Sequence, residues 1–248
     1  MSKTILVTGG SRGIGAATAR LAGARGWSVG VNYAGNAEAA AETVKAVEAA
    51  GGRAIAIQGD VANEADVIAM FDATETAFGK LDGVFNNAGI VRKGAKIADM
   101  DTQSTKRLFD TNVFGAFLVA REAARRMSTS RGGNGGSLVI MSSAAARLGG
   151  GGEMVDYAAS KGAMDTLTVG LSKELAPEGI RVNAIRPGLI ATDIHDDSGD
   201  LNRLSRLVPG VPMGRAGTAE EVGETVIWLL DDQSSYVDGA IIDVTGGR

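Results

Sequence analysis

The chain has no cysteine and a single histidine in 248 residues. Disulfides and thiolate chemistry are therefore excluded, no metal site is expected, and the missing thiols fit a reducing compartment. The one imidazole, His195, sits in a polar, acidic stretch with Asp193, Asp196, Asp197 and Asp200. That setting suits a solvated residue, or one at the edge of a substrate site, better than a catalytic base. Positive charge is in short supply too: 25 Lys and Arg against 29 Asp and Glu give a net charge of -4 and a pI near 5.2. No basic stripe is visible, which argues against a nucleic-acid partner. No apolar run approaches the ~20 residues of a membrane span, and Met1-Ser2-Lys3 leads straight into an apolar strand without a secretory signal pattern. A cytoplasmic protein with no membrane partner is the expectation. What the chain does have is 44% hydrophobic residues, enough for a full core, and 36 glycines. That is about twice the usual ~7%, and the glycines cluster at turns rather than in a repeat.

A further absence appears along the chain. Thr4-Ile5-Leu6-Val7 is a short continuous apolar run of the kind found in buried parallel strands. Thr8-Gly9-Gly10-Ser11-Arg12-Gly13-Ile14-Gly15 follows, and a helical pattern runs from Ala16 to Arg25. Strand, glycine turn and helix form the setting of a phosphate-binding loop, because the helix start offers free N–H groups and partial positive charge. The second strand, Trp27–Tyr33, ends at Asn32-Tyr33, and the first acid after it is Glu38. In NAD-binding folds a carboxylate near this point holds the ribose 2′-hydroxyl. A carboxylate there would repel a 2′-phosphate, so its absence, with the cation of Arg12 nearby, favours NADP(H) over NAD(H).

The β-α rhythm then continues, with about 25–30 residues per unit, as a doubly wound parallel sheet requires. Arg53–Gln58 reads as a third strand that leaves through Asp60-Val61, and Asn63 is placed to cap a helix over Glu64–Phe78. A fourth strand, Leu81–Phe85, runs into Asn86-Asn87-Ala88-Gly89, small residues suited to a backbone packed against a flat ligand or to a turn with asparagine–backbone bonds. The pattern predicts one long helix over Thr105–Met127 with Asn112 in its interior, a poor place for asparagine. Phe109, Val113 and Phe117 recur around it, so Asn112 is expected to be buried. Strand Leu138–Met141 ends at Ser142-Ser143; adjacent strand residues face opposite ways, so only one of the two can meet a given site. Strand Ile180–Arg186 ends at Pro187-Gly188. The stretch 193–212 breaks the alternation and is expected to be a substrate lid. Thr218 is placed to cap Ala219–Leu230, and Gly239–Val244 is a last strand.

Tyr157-Ala158-Ala159-Ser160-Lys161 opens an amphipathic run. On a helix, positions four apart share a face. The ammonium would favour the ionised phenol and lower its pKa, giving a proton donor or acceptor that works near neutral pH.

Four segments thus stand in order: Thr8-Gly-x-x-x-Gly-x-Gly, Asn86-Asn-Ala-Gly, Ser143 followed by Tyr157-x-x-x-Lys161, and Pro187-Gly. Over essentially the whole chain this resembles the short-chain dehydrogenase/reductase family, within it the group of 3-oxoacyl-carrier-protein reductases and sugar or small-alcohol dehydrogenases. The resemblance implies an α/β fold over residues 1–248: a single Rossmann-type domain, a doubly wound parallel sheet of seven strands in the order 3-2-1-4-5-6-7, and helices on both faces. It also implies a homotetramer and hydride transfer between a nicotinamide and a small-molecule carbonyl or secondary alcohol. By the same resemblance Tyr157 is the general acid, Ser143 (rather than Ser142) polarises the substrate oxygen, Lys161 lowers the Tyr157 pKa and holds the nicotinamide ribose, and Asn112 anchors a water linked to Lys161. Gly9, Ser11, Arg12, Gly13, Ile14 and Gly15 fall on the diphosphate and adenosine-phosphate loop, with Asn32 and Tyr33 closing the second strand beside it. Asp60 and Val61 match the adenine contacts, Asn87, Ala88 and Gly89 the adenosine-ribose wall, and Pro187, Gly188, Ile190 and Thr192 the segment that orients the carboxamide.

For the substrate, the acids of the lid and Glu178 argue against docking an acidic carrier protein, while Arg125, Arg126 and Arg131 offer a possible basic patch elsewhere. Leu201, Leu204, Leu207, Val208 and Met213, with Met154, suggest a partly hydrophobic pocket for a small uncharged or weakly charged compound. The alternatives are a 3-oxoacyl-carrier-protein reductase of fatty-acid synthesis and, further off, a catalytically silent dinucleotide sensor.

Overall fold

Seven parallel strands form one sheet in the order β3-β2-β1-β4-β5-β6-β7 in a computed structural model that describes residues 2–192 and 203–248. The strands are β1 Thr4–Val7, β2 Ser28–Tyr33, β3 Arg53–Gln58, β4 Gly83–Asn86, β5 Gly136–Met141, β6 Ile180–Pro187 and β7 Ile241–Val244. The central strands are buried on both faces, which is why β1 reads as an unbroken apolar run. Ile5 and Val7 enter one core, with Val29, Val31, Ala19, Ala22, Val222 and Val226; Leu6, between them, enters the other, with Met70, Phe71, Val119, Met164 and Leu167.

Helices cover both faces. One layer holds α1 Gly13–Ala24, α2 Ala37–Ala49 and α9 Ala219–Leu230; the other holds α3 Glu64–Phe78, α5 Ala116–Met127 and α7 Val155–Leu175. Between β4 and α5 lies α4 Thr102–Phe109, and the short segments α6 Ala145–Leu148 and α8 Arg203–Leu207 flank the carboxyl ends of the strands. The predicted caps are in place. Asn63 Oδ1 accepts from Ala65 N and Asp66 N, and Thr218 with Glu221 forms a capping box that ties down the start of α9.

One prediction needs correction. The single helix over Thr105–Met127 is two helices, α4 and α5, joined by a π-helical turn at Asp110–Gly115. Such a turn inserts a residue into the helical ladder and re-aims the side chains around it. Asn112 is buried as expected, at 1% exposure, but Phe109 and Phe117, expected around it, are 37% and 49% exposed and face outward with Phe114. Val113, the third member of that spacing, packs half-buried against the core, so the apolar spacing is split between an outer face and the core, and the π turn brings Asn112 inward. Of the expected lid, residues 193–202 lie outside the described residues; 203–212 comprise α8 and a short 3-10 turn at Val208–Gly210.

Candidate active site

A cleft of about 890 Å³ runs along the carboxyl ends of the strands, the place where open parallel sheets bind ligands. All of the predicted cofactor-binding residues line it: Gly9, Ser11 to Gly15, Asn32, Tyr33, Asp60, Val61, Asn87 to Gly89, Tyr157, Lys161, Pro187, Gly188, Ile190 and Thr192. Ser143 does as well. Asn112 does not reach the lining; its neighbour Thr111 does.

At the β1–β2 end the wall is backbone. Gly9 has φ +60°, a conformation glycine adopts freely, and its N–H donates to Asn32 Oδ1 at 3.1 Å. The Asn32 amide donates in turn to the carbonyls of Gly59 (3.0 Å) and Ile57 (3.3 Å). Asn32 is therefore a buried brace between the loop and the next strands. Asn87 is another: its Nδ2 donates to Thr8 O at 2.7 Å and Gly9 O at 3.1 Å, while Thr8 Oγ1 accepts from the N–H groups of Asn87 and Ala88. A Cβ on Gly15 would stand 2.4 Å from Gly9 O, so α1 packs against the loop only because that position is glycine. No acid lies in the first turn of α1, and Arg12 at its N-cap makes no side-chain cap bond. The first-turn N–H groups are left for an anion, which fits a dinucleotide pyrophosphate.

Asp60 adds a contact absent from the sequence reading. Its Oδ1 accepts from Ala62 N at 2.9 Å, and its Oδ2 pairs with Arg107 Nη2 at 2.7 Å. Burial pushes the Asp60 carboxyl up, but the Ala62 N–H and the Arg107 guanidinium outweigh it and hold the pKa below the usual value. Arg107 lines the cleft from α4; nothing in the spacing of α4 announces it, because the pairing crosses 47 residues.

The β5–β6 end is built from side chains. The two serines at the end of β5 diverge as strand geometry requires. Ser142 is buried, its hydroxyl bonded to Asp165 Oδ1 at 2.6 Å and Lys161 O at 3.1 Å. Ser143 stays half-buried on the cleft wall, its oxygen accepting from Ala145 N at 3.1 Å. Tyr157 and Lys161 share one face of α7, with Lys161 Nζ 5.7 Å from the centre of the Tyr157 ring. Lys161 is buried and donates to Met141 O at 2.9 Å. Burial lowers its pKa to about 8, against an opposing pull from Asp165. Asp165 is itself gripped by Arg186 through Nη2 (2.8 Å) and Nε (3.1 Å). Asn112 Oδ1 accepts from Ile90 N at 2.8 Å and its Nδ2 donates to Ile90 O at 2.9 Å, clamping the segment after β4 beside the lysine.

Other expectations change at the mouth. Leu207 and Met154 line the cleft, joined by Leu148 and Leu189, but Leu204, Val208 and Met213 lie outside the lining, Met213 at 63% exposure. Asp193, His195, Asp196, Asp197, Asp200 and Leu201 lie outside the described residues. Arg206 on α8 pairs with Glu153 at 2.9 Å, and both line the cleft. Of the basic patch anticipated at Arg125, Arg126 and Arg131, two members are paired with acids, Arg126 with Glu122, Glu75 and Asp72, and Arg125 with Glu122, while Arg131 is exposed.

Residues 9–248 match a family model described as enoyl-(acyl carrier protein) reductase. An uncharacterized oxidoreductase of Escherichia coli, YgfF, is 49% identical over 243 residues, 98% of each chain. The chain belongs to the short-chain dehydrogenase/reductase family. The 3beta-hydroxysteroid dehydrogenase 1 of Eggerthella lenta is 39% identical, covering 99% of this chain and 93% of that protein. A mutant short-chain dehydrogenase/reductase of Serratia marcescens, whose structure is solved, superposes with a TM-score of 0.90 at 34% identity, covering 99% of this chain and 97% of its own. The protein is thus an NAD(P)-dependent oxidoreductase acting on CH–OH or carbonyl groups of small molecules. Among the described residues no helix is long and apolar enough to cross a membrane.

Proposed function

We propose that the protein interconverts a small-molecule carbonyl and its secondary alcohol with NADP(H), and that Tyr157 carries the proton. The observation behind this reading is the buried Lys161 ammonium 5.7 Å from the Tyr157 ring, with Ser143 on the same cleft. The dinucleotide supplies the hydride. Gly9 and the start of α1 from Gly13 would hold its pyrophosphate, while Asp60, Val61 and Asn87 to Gly89 would wall the adenosine. Pro187 to Thr192 would flank the nicotinamide.

In the reducing direction the Tyr157 hydroxyl gives its proton to the substrate oxygen, and the Ser143 hydroxyl donates a hydrogen bond to the same atom. Both interactions strengthen as negative charge builds on that oxygen. Lys161, below a pKa of about 8, is a cation beside the phenol and steadies the charge left on it. Ser142 takes no part, since its hydroxyl is committed to Asp165. Asn112 holds the segment after β4 against Lys161 and anchors the water that relays the proton outward. The NADP(H) preference rests on Arg12 and on the end of β2, where Asn32 and Tyr33 stand in place of an acid. The apolar lining from Leu148, Met154, Leu189 and Leu207 favours an uncharged or weakly charged substrate. Residues 1–248 act as one catalytic domain, with 193–212 as the lid that selects the substrate.

Exposed apolar residues on α4 to α5 (Phe109, Phe114, Phe117) and on α7 (Val155, Val169) support a homotetramer built on these helices and the C-terminal segment. Sedimentation giving a stable monomer would refute the assembly. The activity test is NADPH oxidation over a panel of ketones and aldehydes. Tyr157→Phe should lose at least about 10³-fold in turnover, and equal activity of the two proteins rules the mechanism out.

A further inference from the structure

Immediately before Tyr157 stands a charge that the mechanism above does not use. Asp156 lies in the first turn of α7 with its side chain 4% exposed, and its partner, Arg92, is 10% exposed. Arg92 Nε bonds directly to Asp156 Oδ2. The same oxygen accepts from Thr105 Oγ1 on α4 at 3.3 Å, and the other, Oδ1, accepts from Tyr157 N at 2.9 Å. Arg92 also donates through Nη1 to Lys93 O at 2.7 Å. It lies two residues past Ile90, whose backbone the Asn112 amide clamps. One carboxylate therefore joins three elements: the segment after β4, α4, and the turn of α7 that carries the phenol.

A carboxylate taken out of water at the residue before a reacting tyrosine, and bonded to that tyrosine's N–H, is costly unless paired, and left bare its charge would favour the protonated phenol. The other charges around Tyr157 have partners elsewhere or line the cleft. Lys161, on α7, has Asp165 and then Arg186 behind it; Glu153, before α7, is paired with Arg206 of α8; Arg248 lines the cleft. Arg92 also acts on the carboxylate of Asp101, at the start of α4. None of these groups replaces Arg92 at Asp156.

We propose that Arg92 and Asp156 are positioning residues for Tyr157: a buried ion pair that fixes the start of α7 against the segment after β4 and cancels charge beside the phenol. The inference rests on Tyr157 being the proton carrier. Asp156→Asn keeps an oxygen for Tyr157 N–H but leaves the Arg92 cation unpaired. Arg92→Gln leaves the carboxylate unpaired. The double variant R92Q/D156N restores neutrality with a side-chain hydrogen bond.

The test is the pH dependence of kcat/KM in ketone reduction, with NADPH affinity followed by fluorescence titration and folding by circular dichroism. As pH rises the rate falls when the acid loses its proton. That limb is expected to move to lower pH in D156N and to higher pH in R92Q, by about half a unit or more each. It should return to the wild-type position in the double variant, with NADPH affinity within about twofold throughout. If R92Q does not fold, D156N and the double variant decide the matter. A limb that stays put in D156N, or moves the same way in both single variants, overturns the proposal and leaves the pair a packing feature. Tyr157→Phe is assayed beside them. If it is inactive while the limbs fail to diverge, only the pair is misread; if it is as active as wild type, the proton-carrier reading fails and this inference falls with it.

Discussion

The two ends of the cleft are built on opposite plans. At the β1–β2 end, side chains hold the backbone: Asn32, Asn87 and Thr8 spend their hydrogen bonds on the glycine loop, which then offers main-chain N–H groups to a ligand. At the β5–β6 end the backbone and buried ions hold side chains. Met141 O receives the Lys161 ammonium, and Asp165 bridges Ser142 and Arg186 behind it. Among the described residues the first plan leaves no buried side-chain polar atom without a partner, which favours stability. The second keeps an ammonium out of water, and a group held this way trades stability for reactivity.

Replacing that ammonium should produce the largest contrast. Lys161→Met is expected to lower turnover about 10²–10⁴-fold while raising the stability of the ligand-free protein. The sign follows from the folded pKa of about 8, below the ordinary 10.5. Below pH 8 both folded and unfolded chains carry the proton, so the folded protein bears the full cost of burial. Between the two values the unfolded chain binds more protons, and stability rises with pH. The shift corresponds to roughly 3 kcal/mol at ~1.4 kcal/mol per unit, and the bond to Met141 O that is lost reduces the gain. At about 2–4 °C per kcal/mol, a melting temperature several degrees above wild type at pH 7, together with loss of the alkaline rise, is the expected record. A less stable variant that keeps the rise would show that the two ends do not differ in this way.

A finer contrast lies between neighbours. Ser143→Ala should reduce turnover about 10²–10³-fold, as loss of one donor to a developing oxyanion does, with little change in unfolding free energy. Ser142→Ala should do the reverse: turnover within a few-fold of wild type, and about 1–3 kcal/mol lost because the Asp165 carboxylate forfeits a buried donor. Paired kinetics and urea unfolding separate them, and exchanged outcomes would reassign the serine.

How much of this was legible in the sequence follows from the same contrast. The β-α alternation, the glycine loop and the caps at Asn63 and Thr218 could be read because each depends on residues close together in the chain or on a pattern that repeats, whereas the strand order came only through the family resemblance. Tyr157 and Lys161 were legible for the same reason, lying one helical turn apart. The π turn at Asp110–Gly115 was not, since its only local sign is an asparagine in a helix, and that marks burial without saying how the ladder yields. Arg107 on Asp60 and Arg92 on Asp156 cross 47 and 64 residues and leave no periodic trace. Asn32 shows a subtler limit. Its position was read for the acid it lacks, whereas its own amide has a structural task, bracing Gly9 against Gly59.

The smallest expected effect tests how far the backbone plan extends. Arg12 is exposed at the N-cap of α1, and it is the loop's only side-chain cation. If the main chain carries the pyrophosphate and Arg12 carries only selectivity, Arg12→Ala should weaken NADPH binding by about tenfold, near ~1.4 kcal/mol, and leave NADH within about twofold. The NADPH deficit should shrink as salt is raised, because an exposed charge contact is screened. Equal losses for both dinucleotides would instead place Arg12 on the shared diphosphate. The first end of the cleft would then depend on a reactive-type side chain after all, and the distinction between the two ends would narrow to the buried lysine.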